Sequence, residues 1–206
     1  MISVLDRVGG LVLTGGGGAR LGGVDKAGIE IGGRTLLQRT LDALGDVAEV
    51  VVVGPEATTV RPVTFTREDP PGGGPAAGVL AGLAGFVRRP ELVVVLAVDM
   101  PMVTGRTVRR LVSAAASGDG AVLVDPSGRR QYLCAAYSVA ALEQHAAGDG
   151  HGRAMRSLVA PLALVEVPAV GREADDVDTW SDLRELSKTG GCEPLHGGHG
   201  RPRLDP

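Results

Sequence analysis

Two basic side chains lie inside a glycine-rich segment near the start of the chain. Residues 15–26 read GGGGARLGGVDK and carry Arg20 and Lys26, one of only two lysines in the sequence. The segment follows an apolar run at residues 8–14, which is typical of a buried strand. Loops that leave a strand of an α/β sheet often bind phosphates, and glycine lets the backbone approach such a ligand closely. The segment therefore predicts a phosphate-binding loop charged by Arg20 and Lys26, with a flexible glycine turn as the structural alternative.

This loop does not match the two most familiar phosphate-binding motifs. The dinucleotide fingerprint GxGxxG would need glycine where the chain has Arg20 or Leu21, and the GK pair of a P-loop does not occur. We therefore expect a phosphate-binding loop of another kind.

Asp99 is the second residue that could do chemistry. It follows the run LVVVLAV at residues 92–98, the most strand-like segment of the sequence. Its carboxylate is expected at the carboxyl end of a central strand, where open α/β sheets bind their ligands. A hard oxygen ligand at that place suits Mg²⁺, which typically takes one or two carboxylates together with substrate phosphates. The structural alternative is an Asx turn ahead of Met100 and Pro101.

Further acidic candidates lie in two other segments. Asp69 occurs in REDPPGGGP, where it could instead only solvate a loop, and the run at residues 175–178 contains Asp176 and Asp178. Asp178 precedes Thr179, so a role at the start of a helix is its structural alternative. The spacing of Cys192, His196 and His199 provides too few ligands for a zinc site. No Ser-His-Asp or Cys-His arrangement is evident, so covalent catalysis is not expected.

The elements that must position these residues alternate between strands and helices, and the best strands are apolar throughout. This pattern predicts an α/β fold with one doubly wound, mostly parallel sheet, covered by helices on both faces. A hairpin within residues 121–137 predicts a small antiparallel portion in the second half. We expect one domain at 1–187 and a disordered tail at 188–206, which has almost no apolar content. Strands are predicted at 8–14, 47–53, 63–66, 92–98, 121–124, 131–137 and 162–167, and helices at 35–44, 76–88, 104–117, 139–147, 152–159 and 179–186.

Composition excludes several classes of function. The formal net charge of −3 and the 2% aromatic content argue against nucleic-acid binding. No run approaches eighteen apolar residues, so no membrane span is expected. The start MISVLDRVGG has no features of a secretion signal, and two scattered cysteines do not form a disulfide framework. We therefore expect a cytoplasmic protein.

Four segments together resemble the molybdenum cofactor guanylyltransferase family of nucleotidyltransferases. LVLTGGGGARLGGVDKAGIEIGGRTLL is similar to the opening signature, and EDPPGGGPAAGVLAGL to an acidic residue followed by a GPLAG segment. LAVDMPMVT resembles the strand that ends in a metal-binding aspartate, and DVDTWSDL resembles a terminal NxNTPEDL. The segments occur in the family's order within residues 11–186. The opening signature also marks a wider superfamily, and GGGPAAG favours the molybdopterin branch.

This resemblance implies transfer of GMP from GTP to the terminal phosphate of molybdopterin, with release of pyrophosphate and with Mg²⁺ as cofactor. It implies that Asp99 binds the metal together with Asp178 or Asp176. It implies that Arg20 and Lys26 hold the triphosphate and that Asp69 contacts the nucleotide. The backbone that holds base and ribose is expected at Leu13, Thr14, Gly15 and Gly16.

Some positions depart from the family pattern and leave other functions open. Thr14 stands in place of the usual alanine, and Gly54 stands where an asparagine often contributes to the guanine site. Cytidylyl transfer to molybdopterin and phospholactate guanylyl transfer are therefore alternatives. A nucleotide-binding partner protein with weak catalysis is an alternative of another class. A glycine-rich domain for an unphosphorylated ligand is disfavoured by Arg20, Lys26 and Asp99 together.

Overall fold

The computed structural model describes residues 7–15, 25–146 and 148–189, with side chains to residue 186 in the last helix. Helices cover both faces of a central sheet. The strands are β1 (Val8–Leu13), β2 (Glu30–Ile31), β3 (Arg34–Thr35), β4 (Glu49–Val53), β5 (Thr64–Thr66), β6 (Leu92–Ala97), β7 (Gly120–Val124), β8 (Arg130–Ser138) and β9 (Leu164–Pro168). The helices are α1 (Leu36–Ala43), α2 (Pro75–Ala84), α3 (Gly105–Ala115), α4 (Val139–His145), α5 (Met155–Val159) and α6 (Trp180–Thr189).

Seven of these strands form one mixed sheet, and the predicted fold class is confirmed. The strand order is β5-β4-β1-β6-β8-β7-β9, while β2 and β3 form a separate hairpin. Strand β1 pairs in parallel with β4 and β6, and β8 runs antiparallel to both β6 and β7. The predicted hairpin is formed by β7 and β8, and β8 extends the antiparallel pairing to β6. The loop after β1 and the end of β6 lie side by side, because β1 and β6 pair in parallel.

The central strands are apolar throughout because helices bury them from both sides. On one face, Val12, Val52 and Val94 belong to a core that includes side chains of α1, α3 and α6. On the other face, Leu11 and Val93 belong to a second core that includes side chains of α2, α4 and α5. Alternate residues of β1 and β6 thus face opposite layers, which fixes the side chains that each strand contributes to each core.

Several element bounds differ from those expected, each for a local reason. Helix α2 ends at Ala84 and not near Arg88, because the Glu49 carboxylate accepts hydrogen bonds from the backbone amides of Val87 (2.5 Å) and Arg88 (3.2 Å). The helix expected from residue 152 begins at Met155, since Gly152 has a φ of 70°, which a right-handed helix excludes.

The final helix α6 continues through Thr189, beyond the expected helix end near residue 186. The rest of the predicted disordered tail, with Cys192, His196 and His199, lies outside the described residues. Within the described ranges, none of the helices combines the length and apolar character needed to span a bilayer.

Candidate active site

The carboxyl ends of β4, β1 and β6 form a crevice at the point where the connections reverse direction. From β1 the chain proceeds to β4 and β5 on one side, and then returns to β6 on the other. Open α/β sheets bind their ligands at such a switch point. Here a cavity of about 610 Å³ lies across the strand ends. Its lining includes Leu13, Thr14, Gly15, Lys26, Gly54 and Asp99.

The ammonium group of Lys26 lies between two carboxylates at one end of this cavity. Its Nζ is 2.8 Å from Oδ1 of Asp178 and 3.4 Å from Oδ2 of Asp99. The Lys26 side chain is only 9% exposed, against 30% for Asp99 and 44% for Asp178. Lys26 begins a short 3₁₀ turn that the Asp25 carboxylate caps by accepting from the amide of Ala27 (3.1 Å). The turn therefore holds the lysine backbone while its side chain reaches the strand end.

Backbone hydrogen bonds bring Asp178 to Asp99 across a long separation in sequence. The amide of Val177 donates to the carbonyl oxygen of Asp99 at 2.8 Å. At the start of α6, the Asp182 carboxylate accepts from the amides of Asp178 (3.1 Å) and Thr179 (2.7 Å). Asp182 therefore caps the start of α6, which was the structural role considered for Asp178. The carboxylate of Asp178 contacts Lys26 instead.

The electrostatics of this triad follow from burial and from the paired charges. Burial raises the pKa of Asp99, the contact with Lys26 reduces this effect, and the nearby carboxylates of Asp178 and Asp176 reinforce it. Burial also lowers the pKa of Lys26, but the hydrogen bond to Asp178 and the charges of both aspartates outweigh it, so its pKa is raised overall. Lys26 is therefore an ammonium ion at neutral pH, and the carboxylates form a place where a cation is favoured.

The donor set fits a hard divalent cation. Asp99 and Asp178 both lie within hydrogen-bonding distance of one nitrogen atom, so their oxygens face a common point. Carboxylate oxygens are the protein ligands that Mg²⁺ prefers, with phosphate oxygens and water completing the shell. Among the described residues there is no cluster of three or more His, Cys, Asp or Glu side chains that could hold a metal. Asp176 lines the neighbouring cavity, and Asp99 lines both that cavity and this one.

A second cavity of about 650 Å³ lies on the other side of Asp99. Both cavities are lined by Ala97, Asp99 and Leu133, so they meet at the end of β6. Three arginines line the second cavity, one from the turn after β7, one from the start of β8 and one from α5. The arginine of β8, Arg130, forms an ion pair with Glu166 at 2.8 Å. The other two arginines, Arg129 and Arg156, have no side-chain hydrogen bond or ion pair within the part of the chain that the structure describes. The second cavity can therefore accept an anionic group next to Asp99.

Only some of the predicted site residues line the first cavity. Asp69 is exposed and does not line the cavity, whereas the preceding Glu68 does. Gly16 and Arg20 lie outside the described residues. Arg67, Glu68, Arg129 and Arg156 were not among the predicted site residues, because each has the appearance of an ordinary surface charge in sequence. The one available signal was the arginine doublet at residues 129 and 130, at the end of the turn predicted over residues 125–130.

Comparisons with known proteins point to a single family. The family model described as the MobA-like NTP transferase domain matches residues 10–167. A molybdenum cofactor guanylyltransferase of Cereibacter sphaeroides is 35% identical over 154 residues, which are 72% of this chain and 78% of the relative. One of Acidiphilium cryptum is 32% identical over 198 residues, which are 88% of this chain and 94% of the relative.

Solved structures show the same fold at lower identity. The crystal structure of Rv0371c from Mycobacterium tuberculosis has a TM-score of 0.70 and 21% identity, covering 89% of this chain and 99% of that protein. Molybdopterin-guanine dinucleotide biosynthesis protein A from Archaeoglobus fulgidus has a TM-score of 0.65 and 23% identity, covering 89% and 98%. Another structure of Rv0371c is described as a complex with manganese.

Proposed function

The chain belongs to the MobA-like NTP transferase family, and on that premise we propose that it transfers GMP from GTP to the terminal phosphate of molybdopterin. The observation that carries the proposal is the meeting of two cavities at Asp99, which can hold a nucleotide and an anionic acceptor on either side of one carboxylate. The curated relatives named molybdenum cofactor guanylyltransferase support the identity of both substrates.

The reaction requires one bond to form and one to break at the α-phosphorus of GTP. An oxygen of the acceptor's terminal phosphate attacks this phosphorus, the bond to the bridging oxygen of the β-phosphate breaks, and pyrophosphate leaves with the electron pair. The protein has no covalent step to perform in this scheme, so its contribution is positioning and charge neutralisation. Residues at the junction of the two cavities are the ones that can reach both substrates.

In this proposal, Asp99 and Asp178 or Asp176 hold Mg²⁺. The bound ion supplies positive charge at the α-phosphate and stabilises the negative charge that develops there. Lys26, together with Arg20, binds the triphosphate and stabilises the departing pyrophosphate. The two aspartates that Lys26 contacts are the proposed metal ligands, so Lys26 is close enough to serve the same phosphates.

The strand ends give the nucleotide a direction in the first cavity. Neighbouring strands lie about 4.8 Å apart, so the end of β4 is ~10 Å from the end of β6. With the α-phosphate beside Asp99, the ribose lies over the backbone of Leu13 to Gly15 and the base reaches the ends of β4 and β5. Lining residues at that end include Gly54, Pro55 and Glu68.

The acceptor occupies the second cavity. Arg129 and Arg156 offer guanidinium groups without competing partners among the described residues, and they can bind phosphate oxygens of the acceptor. Tyr132 and Met155 supply apolar surface in the same cavity. An acceptor that combines a phosphate with a flat ring system matches this lining.

Cytidylyl transfer to the same acceptor is the second candidate function. It is favoured by Gly54, which offers no side chain to a guanine base. This candidate keeps the acceptor cavity and the roles of Asp99 and Lys26, and it changes only the base that is bound.

Binding of nucleoside triphosphates provides the test of this proposal. We expect GTP with Mg²⁺ to raise the melting temperature more than CTP, ATP or UTP with Mg²⁺. A ligand at a hundred times its Kd stabilises the native state by about 2.7 kcal/mol, which a thermal-shift assay detects readily. A larger shift with CTP would replace the guanylyl function by the cytidylyl one, and no shift with any nucleotide would contradict nucleotide transfer altogether.

A further inference from the structure

The segment that joins β9 to α6 carries both candidate partners of Asp99. None of the described residues 169–179 belongs to a helix or a strand, so side-chain contacts must hold this segment in place. Asp176 lines the second cavity, and the carboxylate of Asp178 contacts Lys26. The positions of both carboxylates therefore depend on how the segment is attached to the rest of the fold.

The carboxylate of Glu173 attaches the first half of this segment to α3. Its Oε1 accepts from Oγ1 of Thr107 at 2.7 Å and from Nη1 of Arg110 at 3.0 Å. Its Oε2 accepts from the same Nη1 and from the backbone amide of Val170, both at 2.8 Å. The guanidinium of Arg110 also donates to the carbonyl oxygen of Pro168, the last residue of β9. We call this set of contacts the Glu173 anchor.

The Glu173 anchor is buried and charged. Glu173 is 8% exposed, and Thr107 is fully buried. Burial raises the pKa of Glu173, but the hydrogen bonds from Thr107 and Val170 and the contacts with Arg110 outweigh it, so the pKa is lowered overall. The carboxylate is therefore ionised at neutral pH, and hydrogen bonds to an ionised group are roughly twice as strong as those between neutral groups. Because every partner is in place, the anchor holds the segment in one arrangement.

The second half of the segment is held at Val177, four residues after Glu173. Val177 is fully buried in the core that includes side chains of α3, and its amide donates to the carbonyl oxygen of Asp99 at 2.8 Å. Four residues of extended chain span at most about 14 Å, so the two attachment points constrain each other closely. Asp176 and Asp178 lie directly on either side of Val177. A displacement at Glu173 therefore reaches both carboxylates.

We propose that Glu173 is a positioning residue for metal binding, whose anchor on α3 holds Asp178 and Asp176 beside Asp99. This inference rests on the proposed function, which makes these aspartates the metal ligands. Glu173 lines neither cavity, so it acts through the segment and not by contact with a substrate. Without the anchor, the segment samples arrangements in which the carboxylates no longer face a common point. The metal affinity then falls, while a saturating concentration of the ion still selects the ordered arrangement.

The test measures Mn²⁺ binding to the nucleotide-free protein from the electron paramagnetic resonance signal of the free ion. Mn²⁺ takes the same oxygen ligands as Mg²⁺. We expect Glu173→Gln to raise the Kd for Mn²⁺ about 10-fold, the lower end of the usual cost of removing a group that orients metal ligands. Glutamine keeps the size of the side chain, but its amide group places a donor against the donors of Val170 and Arg110. Arg110→Met leaves the contacts of Glu173 with Thr107 and Val170, so it should raise the Kd less.

A variant that lowers stability elsewhere provides the control. Val139→Ala removes buried volume at the start of α4, in the core on the other face of the sheet, so it should lower the melting temperature and keep the wild-type Kd. Turnover gives a second measurement. Glu173→Gln should need a higher Mg²⁺ concentration than the wild type and should approach the wild-type kcat once Mg²⁺ is saturating.

The outcomes separate this inference from the function on which it rests. An unchanged Kd in both Glu173→Gln and Arg110→Met would overturn the positioning role and leave the proposed function intact. An equal rise of the Kd in Val139→Ala, or failure of both anchor variants to fold, would assign the anchor to overall stability and would also overturn it. If the wild-type protein bound no Mn²⁺, the proposed metal site would fail first and the inference with it.

Discussion

Replacing Asp99 by asparagine is expected to lower pyrophosphate release by about 10³-fold, an effect of the order known for the loss of a key electrostatic group in an active site. Asp99 lines both cavities, and Lys26 and Asp178 lie next to it. Asparagine keeps the size of the side chain and removes its charge, so the proposed metal loses its ligand at the point where the two substrates meet.

The fold of Asp99→Asn should remain intact. Burial raises the pKa of Asp99, so its ionised form is less favourable in the folded chain than in the unfolded chain. This unfavourable contribution is complete above the folded-state pKa and absent below the unfolded value. Removing the charge should therefore retain or raise the melting temperature at neutral pH.

Circular dichroism, melting temperature and pyrophosphate release of Asp99→Asn should be measured together. Asp46→Asn provides the control, because Asp46 forms an exposed ion pair with Arg109 and lines neither cavity. That variant should keep the wild-type rate and lose at most about 1 kcal/mol of stability. A folded Asp99→Asn protein with wild-type turnover would show that Asp99 has no part in the reaction.

Replacing Lys26 by alanine is expected to lower kcat/KM by about 10²- to 10³-fold, the usual cost of removing one preorganised electrostatic contact. In the proposed reaction, the ammonium contacts the triphosphate in the ground state and more strongly as charge develops on the leaving pyrophosphate. Lys26→Arg should recover only part of the loss, with less recovery in kcat than in KM, because a planar guanidinium cannot occupy the place of a compact ammonium.

We also expect Lys26→Ala to change the melting temperature, an effect that activity measurements do not detect. Without the ammonium, the carboxylates of Asp99 and Asp178 lose the ion pairs that join them to Lys26. The melting temperature should therefore fall in the absence of metal, and Mg²⁺ should raise it more in this variant than in the wild type.

Steady-state kinetics and thermal melts with and without Mg²⁺ measure both effects. The matched control is Lys188→Ala, which changes the only other lysine of the chain. Turnover of Lys26→Ala within threefold of the wild type would mean that the glycine-rich loop does not act in catalysis, and it would favour a nucleotide-binding partner protein.

The fold could be predicted from the sequence because its strands have an unambiguous pattern. The segment Leu92–Ala97 is apolar at every position, which is typical of a strand buried on both faces. The glycines before and after the strands indicated where the loops begin and end. The exact end of α2 was missed because it depends on the contact of Glu49 with Val87 and Arg88, which no local pattern reveals. The start of α5 was missed because the positive φ of Gly152 is one of several conformations that a glycine can adopt.

The sequence proposes candidate site residues most directly where a charged residue follows a predicted strand, as Asp99 does, or lies in the loop after one, as Lys26 does. Lys26 and Asp99 each follow a recognisable signal, but their contact with Asp178 depends on the bond from Val177 to Asp99, which joins distant parts of the chain. Glu68 and Arg129 could not be distinguished from surface charges without the cavities. A Cβ atom added to Gly54 would lie 1.8 Å from Oγ1 of Thr14, so a contact between two loops links the two positions that depart from the family pattern, and the sequence does not show it.

The most direct test of the central claim is transfer of the nucleotide itself. The protein is incubated with Mg²⁺, molybdopterin and GTP labelled at the α-phosphate, and the products are separated. We predict that the label appears in a molybdopterin–GMP product, with one pyrophosphate released for each label transferred. Label that stays in GTP while α-labelled CTP is transferred, or label that is transferred from no nucleotide, would contradict the assignment.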